Sequence, residues 1–337
     1  MEDRLLYLIG APRSGSTLLA RMLGAHPSIF APPEPHLVTP LAHLGYYASV
    51  EQAAYDPVIT REAARALVAG LPRGEAGYLD ALRAYADGVY AQLLAPSGSD
   101  FLLDKTPAYA LVLDFLATLY PKARYVVLTR HPLAIWSSYV DSFFDGDFEV
   151  AHAHNPILER YVPAIARFLR ERPVALVHVR YEDLVTSPQV ELERICEHFG
   201  VAFHESMIEY GAEERAQPAA GRGLGDPITV ARETRPTTRS LARWAKALAG
   251  DAARVLQSRR ILASLDDADL ETWGYTRAEI EAQLDAVPMT GPKRPRPKLD
   301  RYRLERKLLV QLRRNIHHNT LGRLVKRVRN LCDVLLR

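Results

Sequence analysis

The stretch Tyr7-Leu-Ile-Gly-Ala-Pro-Arg-Ser-Gly-Ser-Thr-Leu-Leu19 decides the fold of this chain. A short apolar run enters a tight glycine loop, and an apolar helical pattern begins just beyond it. In a strand–loop–helix unit of this kind, backbone N–H groups and a helix N-terminus grip a phosphate. Gly10 and Gly15 stand at the G-x-x-x-x-G spacing of a P-loop and are followed by Ser16-Thr17. Where a nucleotide hydrolase carries lysine after the second glycine, this chain has Ser16, and Arg13 is the only cation in the loop. The loop suits a phosphate carrier handled without the usual lysine and Mg²⁺ pair.

A second segment, Arg124-Tyr-Val-Val-Leu-Thr-Arg-His-Pro-Leu-Ala-Ile-Trp-Ser-Ser-Tyr139, reads as a buried strand, then Arg130, then a helix with Pro132 near its first turn. A nucleotide hydrolase would end such a strand in a Mg²⁺-holding Asp. Here it ends in Thr129-Arg130, and Ser138 lies two helical turns on. An Arg at a strand edge and a Ser on the following helix can hold one further phosphate group.

Working outward, strands and helices alternate. Strands are predicted over 4–9, 28–31, 101–103, 125–129 and 174–179. Helices are predicted over 17–25, 108–119, 132–143, 156–170 and 189–199, and again from Thr238 toward Leu265. Residues 38–95 read as a mostly helical insertion, broken near Asp56-Pro57 and Leu71-Pro72-Arg73-Gly74. The fold class is α/β: a central parallel sheet flanked by helices, with a helical insertion and a basic helical tail. Ligands of such sheets sit at the carboxyl ends of the strands, where both phosphate-type motifs fall. The expected organisation is a main domain over 1–287, a Pro-rich linker over 288–298 and a tail over 299–337. The segment 213–239, rich in Gly, Pro, Arg and Thr, reads as a mobile loop.

Composition is ordinary for a soluble globular protein, 48% hydrophobic and 25% charged. No apolar run approaches the roughly 18 residues of a membrane span. Met1-Glu-Asp-Arg leads straight into the first strand, so no signal peptide is expected. Cys196 and Cys332 are the only cysteines and lack metal-site or disulfide-framework spacing. These features predict a cytoplasmic protein without a metal site.

Three landmarks in order resemble the PAPS-dependent sulfotransferases, where PAPS is 3′-phosphoadenosine 5′-phosphosulfate. Pro12-Arg-Ser-Gly-Ser-Thr17 is similar to their 5′-phosphosulfate loop, Arg130 to Ser138 to their 3′-phosphate motif, and Tyr181-Glu-Asp-Leu184 to a third landmark. The resemblance runs over about residues 4–275 and implies a P-loop-type sulfotransferase fold. It implies transfer of SO₃ from PAPS, as co-substrate, to a hydroxyl-bearing acceptor without a metal.

By that resemblance Arg13, Ser14, Gly15, Ser16 and Thr17 hold the phosphosulfate, and Arg13 stabilises the leaving group. Arg130 and Ser138 hold the 3′-phosphate. Tyr181 lies near the adenine or packs in the core. Glu34, in Ala31-Pro-Pro-Glu-Pro-His36, is the expected general base, with His36 as competitor or as its orienting partner. Lys105, in Asp104-Lys-Thr-Pro107, points at the transferring group, and Asp104 holds Lys105 or caps the helix. Gly221-Arg-Gly-Leu-Gly-Asp226 is similar to a nucleotide lid but out of register, with Arg222 a candidate 3′-phosphate contact.

The chain also resembles bacterial stand-alone sulfotransferases and those of polyketide assembly lines. It shares with the latter the Pro-Pro-Glu-x-His loop, Asp-Lys-Thr-Pro and Arg-Tyr-Glu-Asp-Leu, which implies natural-product biosynthesis. It departs from them after Gly225-Asp226-Pro227, where no histidine follows. A two-base arrangement of their kind is therefore not expected.

The net charge of +3 conceals an asymmetry. Residues 291–337 hold fifteen Lys/Arg against three Asp/Glu, so +12 sits in the tail and −9 in the rest. Leu304, Leu308, Leu312, Leu321, Leu324, Val325, Val328, Leu331 and Leu335 recur there at helical spacing. Such a helix suits an acidic carrier protein presenting a tethered acyl chain, an anionic membrane surface, or packing on its own domain or a second copy as a homo-oligomer. Nucleic acid is not an expected partner. Two other classes stay open: a P-loop kinase or NTPase, disfavoured by Ser16 and the missing Asp, and a catalytically silent nucleotide-binding module.

Overall fold

Leu5–Gly10 (β1) is buried along its whole length, as a strand paired on both edges and covered on both faces must be. The computed structural model describes residues 1–48, 50, 57–144, 146–211 and 233–289. β2 (Ile29–Phe30), β3 (Phe101–Asp104), β4 (Arg124–Thr129) and β5 (Leu176–Arg180) join β1 in one sheet of order β2-β3-β1-β4-β5. Every pairing is parallel, with Tyr7 opposite Asp104 on one side of β1 and Gly10 opposite Leu128 on the other.

The two-residue period of the strands splits the core. Leu5, Tyr7 and Ile9 of β1 and Tyr125 and Val127 of β4 pack on one face. Leu6, Leu8, Val126 and Leu128 pack on the other. The second face is covered by α1 (Ser16–Gly24) and, later in the chain, by two helices after β5. The insertion supplies α2 (Val38–Ala42), α3 (Pro57–Ala69) and α4 (Gly74–Leu94), and the last packs on the first face. α5 (Leu113–Leu119), α6 (Pro132–Phe144), α7 (Phe148–His154) and α8 (Ile157–Glu171) follow there. α9 (Tyr181–Thr186) and α10 (Pro188–Phe199) return to the second face. α11 (Arg243–Leu248), α12 (Ala252–Ser264), α13 (Asp267–Trp273) and α14 (Arg277–Asp285) close the first.

The predicted α/β class and parallel sheet are what the structure shows, and the differences are local. The helix read over 108–119 is a 3₁₀ turn, Pro107–Leu111, followed by α5. α7 went unread; Asp147 starts it by accepting from the N–H of Val150. α9 opens directly on the end of β5, so Tyr181 is a first-turn helix residue. Pro288 and Met289 apart, the predicted linker and the basic tail with its partners lie outside the described residues, as does most of the 213–239 loop. No described helix is long and apolar enough to cross a membrane.

Strand order places the site. After β1 the chain leaves toward β2 on one side, and after β4 it leaves toward β5 on the other. The crevice between the carboxyl ends of β1 and β4 is therefore a topological switch point.

Candidate active site

Two loops meet at that crevice. After β1, Arg13 adopts φ 70° and Gly15 φ 98°, turning successive N–H groups before α1 begins at Ser16. A Cβ on Gly10 would lie 2.6 Å from Ser14 Oγ and 3.2 Å from the Leu128 carbonyl, so only glycine lets the loop lie this close to β4. A Cβ on Gly15 would overlap the Tyr181 ring. For Gly15→Ala we expect the overlap and the left-handed backbone, worth about 1–2 kcal/mol by itself, to expel Tyr181. The melting temperature should fall, and the affinity for 3′-phosphoadenosine 5′-phosphate (PAP) should drop about tenfold, which calorimetry would read.

Arg130, at the end of β4, is almost wholly buried. Its Nη1 donates to the Arg13 carbonyl at 3.1 Å, and its guanidinium lies 4.3 Å from the centre of the Tyr181 ring. Burial pulls its pKa down, with Arg13 adding to the effect and Tyr181 and Glu182 opposing it. The Arg13 side chain crosses to the helix after β4, donating from Nε to Ser138 Oγ at 3.1 Å. Ser138 still has its own proton to give. Ser14 Oγ and Arg130 Nε are buried with no hydrogen-bond partner among the described residues.

Around these groups lies a cavity of about 450 Å³, inside the usual range for small-molecule sites. Arg13, Gly15, Ser16 and Thr17 line one wall, and Arg130, Ser138 and Tyr181 line another. Seven of the nine residues read from sequence as nucleotide contacts thus share one cavity. Ser14 lies just behind it, fully buried. Arg222 lies outside the described residues.

Glu34, His36 and Lys105 form a separate cluster one strand over, past the ends of β2 and β3. Glu34 Oε1 meets Lys105 Nζ at 2.5 Å, and Glu34 Oε2 meets His36 Nε2 at 3.3 Å. The Glu34 and Lys105 side chains are only 13% and 8% exposed, so solvent screens the pair weakly. Asp104 neither holds Lys105 nor caps the turn. Its carboxylate is taken by the hydroxyls of Tyr90, Thr106 and Tyr109, which leaves Lys105 to Glu34.

The chain matches the description "Sulfotransferase family" over residues 6–205, more than half its length and spanning both loops. It belongs to the sulfotransferase family. The nodulation protein NoeE of Sinorhizobium fredii is 32% identical over 286 residues, which cover 85% of this chain and 63% of that protein. The chain thus spans less than two thirds of that relative. The sulfotransferase domain of the Synechococcus PCC 7002 olefin synthase shares the fold at 25% identity. It has a TM-score of 0.50 and covers 78% of this chain and 94% of that domain.

Several contacts that build the candidate site were not readable from local sequence. Trp273 Nε1 donates to the Arg130 carbonyl at 2.8 Å across 143 residues. Glu182 accepts from the backbone N–H of His131 at 3.1 Å and from the Tyr275 hydroxyl. Arg239, Arg243 and Lys246 add cations to the cavity wall. His131 stacks on Trp244, with centroids 4.7 Å apart.

Burial, with Arg130 and Arg180 adding to it, pushes His131 down to about 3, and burial first pushes His178 down to about 4. Both histidines are neutral in the fold and charge in the unfolded chain below about 6.5. Their stabilisation is full above that pH and is lost as pH falls toward 3–4. Asp104 works the other way. Burial raises it to about 6, so its contribution is full below about 4 and lost as pH rises through 6. Between pH 6 and 4.5 the unfolded state holds roughly one proton more over these three groups. Stability should therefore fall by about 1.4 kcal/mol per pH unit. Urea unfolding at pH 6 and 4.5 checks this, and His131→Phe should flatten the slope; an equal slope in both proteins would contradict it.

Proposed function

We propose that this protein transfers a sulfuryl group from PAPS to a hydroxyl of an organic acceptor. The observation that supports this best is the meeting of the β1 loop and the Arg130–Ser138 segment around one cationic cavity, with Ser16 in the place of a P-loop lysine. The buried, unpartnered Ser14 Oγ and Arg130 Nε fit an anionic nucleotide with two phosphate-bearing ends. So does the close approach of the Tyr181 ring to the loop that Gly15 permits. When bound, PAPS supplies the sulfuryl group and a bisphosphate leaving group.

In this reading the N–H groups and hydroxyls of Ser14 to Thr17 bind the 5′ end, while Arg130 and Ser138 bind the 3′-phosphate. Arg13 links the two, since its Nε bond to Ser138 leaves that hydroxyl's proton free for a phosphate oxygen. Its permanent charge also stabilises negative charge at the bridging oxygen. The Tyr181 ring, fixed by Gly15, Arg130 and a 2.7 Å hydrogen bond to Ser240, offers a planar wall to the adenine. Glu34 takes the acceptor proton, and Lys105, within reach of the same carboxylate, stabilises the transferring group. His36 orients Glu34 from its other oxygen.

The acceptor is a small-molecule, lipid or carrier-tethered hydroxyl. A role in natural-product biosynthesis accords with relatives named as a nodulation protein and an olefin synthase domain. Incubation with PAPS and a panel of alcohols and phenols tests the reading. PAP release with a matching SO₃ mass increment on one alcohol or phenol is the expected result. Turnover of ATP with Mg²⁺, and no transfer from PAPS, would overturn it.

A further inference from the structure

Asp104 ends β3 with no solvent exposure. Its Oδ2 accepts from the Tyr90 and Tyr109 hydroxyls at 2.7 and 3.0 Å, and its Oδ1 from Thr106 Oγ1 at 2.9 Å. All three hydroxyls have a second partner: that of Tyr90 accepts from the Tyr7 hydroxyl at 3.4 Å, and the other two reach the backbone just after Glu34. Thr106 Oγ1 accepts from the backbone N–H of His36 at 3.4 Å, and the Tyr109 hydroxyl accepts from the N–H of Val38 at 3.1 Å.

A hydroxyl owns one proton. Once Thr106 and Tyr109 give theirs to Asp104, only lone pairs remain, and these must face donors. An ionised carboxylate only accepts, so Asp104 fixes the polarity of both links. The segment they hold needs holding: His36 has φ 52°, a conformation that a β-carbon disfavours. That segment carries Glu34, while Lys105, the ion-pair partner of Glu34, directly follows Asp104 in the chain.

We propose that Asp104 is a positioning residue which, through Thr106 and Tyr109, clamps residues 34–38 and so aligns Glu34 with Lys105 and His36. The catalytic consequence rests on Glu34 acting as the base; the clamp itself does not. Asp104 touches neither substrate nor reacting atoms in this scheme. It acts through two hydroxyls and two backbone N–H groups.

Tyr90 supplies the control. Its hydroxyl binds the same carboxylate oxygen as that of Tyr109, but no bond joins it to the 34–38 segment among those observed. Full-length Tyr109→Phe, Thr106→Val, Tyr90→Phe and Thr106→Ser proteins are compared by amide hydrogen exchange of peptides covering 34–38. PAP binding calorimetry and PAP release from PAPS with the alcohol panel complete the set.

Exchange should quicken about tenfold or more in Tyr109→Phe and Thr106→Val, which lose a link, and stay near the parent rate in Tyr90→Phe and Thr106→Ser. PAP affinity should stay within about twofold in all four, because the nucleotide cavity lies one strand away. PAP release should slow about tenfold in the first pair with KM for PAPS unchanged. Equal exchange in Tyr90→Phe and Tyr109→Phe, or no change in either link variant, overturns the clamp. The expected exchange pattern with unaltered PAP release upholds the clamp and counts against Glu34 as base.

Discussion

A Glu34→Gln protein is expected to bind PAP as the parent does and to transfer sulfuryl groups about 10²–10⁴ times more slowly. Glutamine keeps the shape and one accepting oxygen of the side chain, so the loop between Pro33 and Pro35 retains its course. What it loses is the capacity to take a proton from the acceptor. It also leaves Lys105, 8% exposed, beside a neutral amide. Removing one partner of a buried pair costs up to about 3–5 kcal/mol, and glutamine's remaining hydrogen bond places this variant toward the low end. Urea unfolding and PAP calorimetry therefore accompany the kinetics. Lost stability with parental turnover would make the Glu34–Lys105 pair structural only. His36→Asn separates the remaining roles: a modest loss fits His36 orienting Glu34 through their 3.3 Å contact. A loss of about 10²–10⁴-fold in His36→Asn, with Glu34→Gln itself mild, would make His36 the base.

Arg130→Ala should weaken PAP binding by about 10²-fold or more, since charged hydrogen bonds are worth about 1.5–3 kcal/mol each and 1.4 kcal/mol is tenfold. Its surroundings raise the expected effect. Trp273 holds its carbonyl, Tyr181 lies under its guanidinium, and the Arg13 carbonyl takes its Nη1. The fork is thus already ordered and largely desolvated before a phosphate arrives. Arg130→Lys should recover only part of the loss, because an ammonium cannot reproduce the fork. Adenosine 5′-phosphate, which has no 3′-phosphate, provides the internal comparison. Its affinity should differ little between the parent and Arg130→Ala. If both nucleotides weaken equally, Arg130 supports the loop after β1 rather than the 3′ end.

Much of this was legible in sequence because it is local. The run from Tyr7 to Leu19 is one strand, one turn and one helix start, and its residue types follow from backbone geometry: glycine at φ 98°, small residues beside it, apolar residues on both faces of β1. Arg130 and Ser138 lie on one strand end and the helix that follows it, so spacing alone places them together. Glu34 and Lys105 could be named one by one from their motifs. Their 2.5 Å pairing could not, since it depends on β2 lying beside β3. Strand order also decides that the cavity falls between β1 and β4, and single-chain periodicity carries no information on order.

Asp104 shows the limit most clearly. Next to Lys105 in sequence, an aspartate reads as its counter-charge or as a helix cap. Burial among Tyr90, Thr106 and Tyr109 settles it otherwise, and Tyr90 comes from α4, in the helical insertion. Trp273 was invisible for the same reason, and Glu182, although inside the Tyr181–Leu184 landmark, gave no sign of its partners, since these lie far away in the chain.

The most direct test of the central claim, that the β1–β4 cavity is a metal-independent PAPS site, is a thermal shift of the purified protein. PAP with EDTA is set against ATP with Mg²⁺. A ligand that binds only the folded state adds about 2.7 kcal/mol of stability at a hundredfold excess over its dissociation constant, several degrees for a domain of this size. A rise with PAP in EDTA, absent in Arg130→Ala, is the expected result. A rise with ATP and Mg²⁺ alone would contradict the assignment and return the cavity to nucleotide hydrolysis or kinase chemistry.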